Sequence, residues 1–301
     1  MAITIDSNVK ESISLEEYLE FMEGSLDPLN QDQVLDSASK LKALANNQQF
    51  LAEKLNQELR NWRDFQPNNA YSAQTLTLGR AKSCFLRANM WAPLTKVENN
   101  HDWEKRLYAY SQPHDHNFSF LTVGYFGPGY KTVIYEYDPD SVSGYSGEKV
   151  NLRFLERTTL PQGKIMFYRA SKDIHSQEPP EDFSISINLM IVSPEVSVRG
   201  QYWFDLDAGI IIRQVQNPAS TRLMLCRLAR YISNDETKDI LNTIAKQHHF
   251  PNVRAAAYES LSFVESKDAY RIWRYAFDCD KSPLVKSIAE DALRNLSDSF
   301  T

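Results

Sequence analysis

The hydrophobic pattern of the chain changes period twice, and this feature constrains its fold most strongly. Apolar side chains recur at helical spacing from residue 14 to about residue 65, and again beyond Pro218. Between these regions, from residue 75 to residue 213, short β-branched and aromatic runs are separated by clusters of Gly, Pro, Asp and Ser. Many short strands at such spacing are typical of an antiparallel sandwich or barrel. We therefore predict an α+β fold with a central antiparallel β-barrel or sandwich flanked by helices.

The same pattern divides the chain into three predicted parts: an N-terminal helical region (1–70), a β region (71–215) and a C-terminal helical region (216–301). Ser14 and Glu17 have the spacing of a capping box at the start of the first helix. The third predicted helix carries one apolar stripe, formed by Phe50, Leu51, Leu55, Leu59 and Trp62. The predicted strands cover residues 84–91, 106–110, 118–125, 131–137, 150–156, 164–169, 183–192 and 200–204.

Composition and charge narrow the class of protein. The 301 residues are 42% hydrophobic and 24% charged, which is typical of a folded protein and argues against a disordered chain. The net charge of −6, without a block of basic residues, predicts no nucleic-acid binding. The apolar stretches, such as residues 185–192, are shorter than the about 20 residues of a spanning helix, so we predict no membrane insertion. Residues 1–8 do not resemble a secretory signal, and we expect a cytoplasmic location.

Five positions of the C-terminal region form an internal repeat with a fixed spacing of 32 residues. They are Pro251, Val253, Arg254, Ala257 and Leu261, which recur as Pro283, Val285, Lys286, Ala289 and Leu293. The pattern resembles the second helix of HEAT-type repeats, whose stacked helical pairs form concave surfaces for peptides or proteins. The alternative is a compact bundle with two similar helices. We expect Val253 and Val285 to be buried at equivalent positions, and we expect a protein partner to bind these C-terminal helices.

The segment His114-Asp115-His116 is the most informative for chemistry. It lies between two strand-like runs, and side chains at i and i+2 of an extended chain point to the same side. His175 follows 59 residues later, in another strand region. Three imidazoles from two strand regions could bind one iron, copper, nickel or zinc ion. The alternative is that each histidine is an ordinary hydrogen-bonded residue and binds no metal.

These residues carry a resemblance to a known family. The order His-x-His, a Gly-rich turn (124–129), Pro161-x-Gly163 and a lone histidine is similar to the two half-motifs of cupins. Within cupins, residues 75 to about 205 most resemble the cysteine-dioxygenase-like thiol dioxygenases. That resemblance rests on the His-Asp-His segment, on residues 167–175 and 183–194, and on the run 85–89. It implies a cupin-like barrel in which three histidines bind Fe(II).

Carried over residue by residue, the resemblance makes His114, His116 and His175 the metal ligands. It also makes Arg87 the group that binds a substrate carboxylate, unless Arg87 lies on the outer face in a solvated ion pair. Tyr168 would donate a proton near the iron, although a tyrosine in a strand is more often a packing residue.

Three departures from related patterns refine this assignment. Residues 117–123 contain no carboxylate, which favours a three-histidine site over one with an added glutamate. His114-x-His116 does not fit the His-x-Asp/Glu motif of 2-oxoglutarate oxygenases. Cys84 is the only cysteine of the β region, and we expect it to be a small buried residue rather than part of a cysteine–tyrosine cross-link. The substrate therefore need not be cysteine.

The sequence thus predicts an O₂-dependent, Fe(II)-dependent oxygenase (an oxidoreductase). Its expected substrate is a small molecule, such as an amino acid or a thiol, or a residue bound to a peptide or carrier protein. The alternative is a non-catalytic cupin and HEAT-like module for protein interaction or sensing. Metal content distinguishes these two classes, because only the enzyme requires near-stoichiometric iron.

Overall fold

A computed structural model of the chain describes residues 3–64, 66, 69, 74–81, 83–97, 100–192, 199–215 and 221–298. The chain divides into two compact units, one formed by Met1–Tyr137 with Leu152–Ser193 and the other by Asp138–Asn151 with Pro194–Thr301. Pro218, where the sequence pattern changes, lies outside the described residues. The divisions near residues 70 and 215 therefore remain predictions, and we describe each unit by itself.

The first unit starts with a strand and a group of helices. They are β1 (Ile3–Ile5), α1 (Leu15–Gly24), α2 (Gln31–Asp36), α3 (Ala38–Asn46) and α4 (Phe50–Arg60). Helix α1 begins with the predicted capping box, in which Ser14 Oγ accepts from the Glu17 amide and the Glu17 carboxylate accepts from the Ser14 amide. The stripe predicted for α4 is buried only at its start, because Leu55 is 44% exposed and Leu59 is 56% exposed. The side chain of Trp62 lies outside the described part of the chain.

Two antiparallel sheets follow in this unit. The six-stranded sheet has the order β1-β7-β4-β9-β3-β2, and the three-stranded sheet has the order β6-β5-β8. The strands are β2 (Thr75–Arg80), β3 (Cys84–Trp91), β4 (Ser119–Phe126), β5 (Lys131–Glu136), β6 (Arg153–Thr159), β7 (Ile165–Tyr168), β8 (Asp173–Glu178) and β9 (Ser184–Ile191). A further helix, α5 (His101–Tyr108), lies between β3 and β4 in the chain.

The six-stranded sheet is buried on both faces. Leu86, Leu121 and Leu189 share one apolar cluster with the N-terminal helices. Alternating residues of the same strands, such as Phe85 and Phe120, share a second cluster with Ile134 of the three-stranded sheet. Successive strand side chains point to opposite faces, so the sheet lies between the helices and the smaller sheet.

The predicted α+β class and antiparallel strands are confirmed, and of the two predicted forms, a barrel or a sandwich, the closed barrel is not formed. Among the described residues, the strands form separate sheets, and no ladder joins the edges of the two sheets into one ring. The arrangement in this unit is therefore a two-sheet sandwich.

Residues 106–110, predicted as a strand, mostly belong to helix α5. Asp102 and Glu104 lie in the first turn of α5, and Lys105 and Arg106 lie in its last turn, so the charges complement the helix dipole. Over so short a run, helical and strand periodicities cannot be distinguished. The opposite error occurs at β1, which the sequence did not predict and which pairs with β7 at the sheet edge.

The second unit is mainly helical. It contains the antiparallel pair β10 (Tyr202–Asp205) and β11 (Ile210–Gln214). Its helices are α6 (Thr221–Leu228), α7 (Asp235–Gln247), α8 (Pro251–Val264), α9 (Ala269–Cys279) and α10 (Pro283–Asp298). Val253 and Val285 are 2% and 0% exposed, so the repeated positions are buried equivalently, as predicted. The HEAT-like character of these helices remains a prediction.

Among the described residues, we find no helix with both the length and the apolar character needed to cross a bilayer.

The close approach of β4 to the turn before β7 requires glycine at position 124. A Cβ atom at Gly124 would lie 2.1 Å from the carbonyl oxygen of Pro161, which is backbone and cannot move aside cheaply. The Gly124 amide donates to Lys164 O, and its carbonyl accepts from the Gly163 amide. These bonds hold the two segments together.

We predict that Gly124→Ala lowers the free energy of unfolding by at least about 2 kcal/mol, because the added methyl group forces these segments apart. Urea titration followed by circular dichroism measures the change. The matched control is Gly24→Ala at the end of α1, where an added Cβ has no neighbour within 4 Å. The control should be neutral or stabilising by less than about 1 kcal/mol. Equal stabilities of the two variants would contradict the prediction.

Candidate metal centre

His114, His116 and His175 converge at one point of the first unit. One nitrogen from each ring lies within 4.8 Å of the other two. The ring centroids are 4.8 Å apart for His114 and His116, 4.6 Å for His114 and His175, and 5.0 Å for His116 and His175. The Nε2 atoms of His116 and His175 are 2.9 Å apart. The structure thus brings together the three histidines that the sequence singled out.

Backbone pairing produces this convergence. The His114 amide donates to His175 O at 3.0 Å, and the His175 amide donates to His114 O at 2.9 Å. His175 lies on β8 opposite Ile134 of β5, so His114 extends the edge of the three-stranded sheet. The Ser171 amide then donates to His116 O, which continues the contact along the chain. His116 consequently lies on the same side as His114, as expected for extended chain.

The residue between the two histidines points the other way and is also held. Asp115 is fully buried, and its carboxylate accepts a hydrogen bond from the Tyr137 hydroxyl at 2.7 Å. A buried carboxylate needs such hydrogen bonds, because an isolated buried charge is costly. This anchor fixes the direction of both flanking imidazoles.

The three imidazoles are in their neutral form. Burial lowers the pKa of His114 to about 4, against the opposing effect of its hydrogen bond to Gln112 O. Burial and the neighbouring imidazoles lower the pKa values of His116 and His175 well below the usual range. His114 Nδ1 donates to Gln112 O at 2.7 Å, which leaves the lone pair on Nε2. Neutral imidazoles with free lone pairs are the form that binds a divalent metal.

Aromatic rings form one wall of the centre. Phe118 stacks on His116 at 4.5 Å, and Phe120 lies 5.4 Å from the same ring. Tyr168 stacks on Phe120 at 4.5 Å and lies 4.8 Å from His175. These apolar faces keep water and polar groups away from the imidazoles. Burial is therefore the largest cause of their lowered pKa values.

An ion-pair network fixes the turn before β8. Arg169 binds the buried Asp173 through its guanidinium and through its backbone amide, and it also binds Glu136 on β5. Burial alone would raise the pKa of Glu136, but hydrogen bonds from Arg169 and Arg153 lower it to about 2. Glu136 therefore anchors β5 to this turn. The turn ends at Asp173, two residues before His175.

Arg87 lies on the inner side of the sandwich. The residues of β3 in phase with it, Phe85 and Trp91, belong to the cluster between the two sheets, whereas Leu86 and Ala88 face the N-terminal helices. Its positive charge contributes to the lowered pKa of His116, in keeping with this inward placement. The alternative placement on an outer face is therefore wrong, and the role of Arg87 in binding remains a prediction.

Tyr168 is buried, with its hydroxyl close to those of Tyr130 and Thr132. Burial raises the pKa of Tyr168, and the nearby Tyr130 adds to this effect, so the hydroxyl keeps its proton. Within the described part of the chain, the Tyr168 and Thr132 hydroxyls make no hydrogen bond of good geometry.

Cys84 is buried on the helical side of β3, as predicted, and does not face the imidazoles. Burial raises the pKa of its thiol to about 11, so the thiol stays protonated.

Several residues around the three histidines are not among the site residues predicted from the sequence. They are Gln112, Asp115, Phe118, Phe120, Tyr130 and Gln177. The alternation around His114 and His116 indicates Phe118 and Phe120, since both share the period of the histidines. Gln177 also shares the period of His175, but a glutamine in a strand predicts nothing specific. The Gln112 carbonyl is a backbone atom, and no sequence pattern predicts its contact.

No model of a known protein family matches the chain. No curated protein matches its sequence. Among solved structures, parts of the chain are similar to a DMSP lyase from Ruegeria pomeroyi (12% identity, 39% of this chain and 45% of that chain, TM-score 0.22). A second is a hydroquinone 1,2-dioxygenase from Sphingomonas sp. TTNP3 (11% identity, 44% of this chain and 75% of that chain, TM-score 0.25). A third is an acireductone dioxygenase from Bacillus anthracis with cadmium in its active centre (13% identity, 47% of this chain and 64% of that chain, TM-score 0.24).

The chain spans less than half of the DMSP lyase chains that it matches. Likeness at these identities and TM-scores assigns neither a family nor an activity.

The lowered pKa values predict that the metal-free protein loses stability as the pH falls from about 6.5 to 4. An unfolded histidine binds a proton below its ordinary pKa of about 6.5, whereas folded His114 remains neutral down to about pH 4. As the pH falls, the unfolded state therefore gains protons before the folded state does. The resulting loss in the free energy of unfolding that is due to His114 alone reaches about 3 kcal/mol at pH 4.

Urea titrations of the chelator-treated protein at successive pH values measure this loss. His114→Gln should flatten the slope between pH 6.5 and 4, and His249→Gln, at an exposed position of the other unit, should keep it. Parallel profiles for the wild type and His114→Gln would contradict the assignment.

Proposed function

We propose that the first unit is a metal-dependent oxygenase centre in which His114, His116 and His175 bind one Fe(II) ion. The observation that carries this proposal is the convergence of three buried, neutral imidazoles, two of which face each other through Nε2 atoms 2.9 Å apart. Without a shared ion, such a cluster gains little from burying three polar rings together.

The donor set fits the proposed ion. Imidazole nitrogens suit iron, copper, nickel and zinc, and the resemblance to three-histidine thiol dioxygenases favours iron among them. Three ligands leave further coordination positions free, and a bound Fe(II) ion would supply the redox chemistry that activates dioxygen. The cluster offers no carboxylate ligand among the described residues, in keeping with the three-histidine type.

The residues around the histidines would bind and orient the substrate. Arg87 carries a planar guanidinium that binds a carboxylate through two parallel hydrogen bonds. The proton-bearing hydroxyl of Tyr168 can donate to a substrate heteroatom. Phe118 and Phe120 exclude water from the side of His116. Together these groups favour a small substrate with an anionic group, such as an amino acid or a thiol acid.

A peptide-bound or carrier-bound substrate is the second form of this proposal. The C-terminal helices are its candidate partner surface, and the predicted HEAT-like repeat motivates this assignment.

A non-catalytic interaction module is the alternative function. The second unit exposes a group of large apolar side chains, namely Leu225, Leu228, Tyr231, Ile232 and Phe263. Exposed apolar groups of this kind often mark binding surfaces. Metal content separates the two functions, because the alternative requires no ion at the histidines.

Metal analysis of the protein, reconstituted anaerobically with Fe(II), tests the proposal. We predict about one ion per wild-type chain and a loss of at least about 90% of it in His116→Ala, because two remaining ligands bind weakly. Circular dichroism should show an unchanged fold. The control His249→Ala should retain the wild-type metal content. Full retention of iron by His116→Ala would exclude the proposed centre.

Oxygen-consumption screening of the iron-loaded protein against amino acids, thiols and peptides identifies the substrate. For the substrate found, we predict that Arg87→Lys raises KM by about 10-fold to 100-fold, since lysine keeps the charge but loses the two-pronged geometry. Iron content should remain normal. The control Arg157→Lys changes an exposed residue of β6 and should leave KM unchanged. An unchanged KM in Arg87→Lys would remove Arg87 from the substrate site.

A further inference from the structure

The side chain of Gln177 contacts Nδ1 of His175, the ring nitrogen that does not face His116. It follows His175 by two residues on β8, shares its side of the strand and is buried. Its amide Nε2 lies 2.9 Å from His175 Nδ1. Its Oε1 is buried and makes no hydrogen bond to any other described residue.

This orientation of the amide goes with one proton position on His175. Because the amide nitrogen donates to Nδ1, Nδ1 must present its lone pair, and the neutral ring carries its proton on Nε2. His175 Nε2 lies 2.9 Å from His116 Nε2, which is a hydrogen-bond distance. When His175 carries its proton on Nε2, this N–H can donate to His116.

Metal binding requires the opposite tautomer. An ion bound at His175 Nε2 needs the lone pair there, so the ring proton must be on Nδ1. Nδ1–H would then face the N–H of the Gln177 amide, and two donors cannot form a hydrogen bond. A rotation of the amide by about 180° places Oε1 at Nδ1, and the two ends of an amide have nearly the same shape. The rotation also gives the buried Oε1 the partner that it lacks, which removes a costly feature.

We propose that Gln177 is a positioning residue that sets the tautomer of His175. Its amide nitrogen faces the ring in the metal-free protein, and its amide oxygen faces the ring when a metal is bound. One proton leaves Nε2 and one is taken up at Nδ1, so the imidazole stays neutral throughout. The inference rests on the proposed function, because it assumes that His175 binds the ion.

Glu136 of β5 does not take this role. Its oxygens bind Arg153 and Arg169. Gln177 is thus the side chain that the structure places against His175 Nδ1.

Nitrogen NMR of the full-length protein, labelled at histidine with ¹⁵N, tests the proton position directly. The Zn²⁺ ion alone is the probe, because it is diamagnetic and binds imidazole. We expect His175 to carry its proton on Nε2 in the metal-free wild type and on Nδ1 after addition of Zn²⁺. A proton on Nδ1 in both states would overturn the proposal. This measurement needs no variant and does not depend on catalytic activity.

Two variants test the role of the amide. Gln177→Met keeps the length but cannot accept a strong hydrogen bond, and it should weaken Zn²⁺ affinity by about 10-fold to 100-fold. Gln177→Glu presents only acceptors, so it should hold the proton on Nδ1 even without metal and should bind Zn²⁺ at least as tightly as the wild type. Gln162→Met, at an exposed position of the same unit, is the matched control and should match the wild type.

The outcomes separate this inference from the proposed function. A wild-type protein that binds no Zn²⁺ overturns both. Zn²⁺ binding that is lost in His116→Ala, but is equally tight in Gln177→Met and the wild type, overturns the role of Gln177 alone. A tenfold or greater weakening in Gln177→Met, with normal binding in Gln177→Glu, supports the role of Gln177.

Discussion

The paired backbone hydrogen bonds between His114 and His175 are the contact on which the candidate centre depends. They attach the chain before β4 to the edge of β8, so that two segments distant in sequence run antiparallel. Given this pairing, the two-residue period of extended chain places His116 beside the other imidazoles. The Asp115–Tyr137 hydrogen bond on the opposite side prevents the segment from rotating. The geometry of the centre is thus determined mainly by the backbone.

The sequence predicted the parts of the fold that depend on local periodicity. The N-terminal helices, the capping box at Ser14 and the equivalent burial of Val253 and Val285 follow from spacing alone. The sheet closure, strand β1 and helix α5 depend on partners far along the chain, and the sequence does not specify these partners. The barrel expected from the family resemblance therefore differs from the observed sandwich, although strand direction and fold class agree.

The same distinction applies to the candidate site. The common side of His114 and His116 could be predicted, because it depends on alternation within one strand-like segment. The family resemblance adds His175, and the sequence leaves the side of Arg87 open. Gln177 could not be identified, since its importance comes from a contact between one amide and one ring nitrogen. The binding of Glu136 by two arginines could not be identified either, because it joins β5, β6 and the turn before β8. Contacts of this kind require the tertiary structure.

The burial of the six-stranded sheet on both faces bears on how this protein can be divided for study. Leu86, Leu121 and Leu189 pack against Tyr18 and Leu41 of the N-terminal helices, in one continuous cluster. A fragment restricted to residues 71–215 would expose this apolar face to water and would also lack β1, leaving an edge of β7 unpaired. Exposed sheet faces and open edges promote aggregation. The N-terminal helices are therefore an integral layer of the first unit, and any fragment intended to carry the candidate centre must include them.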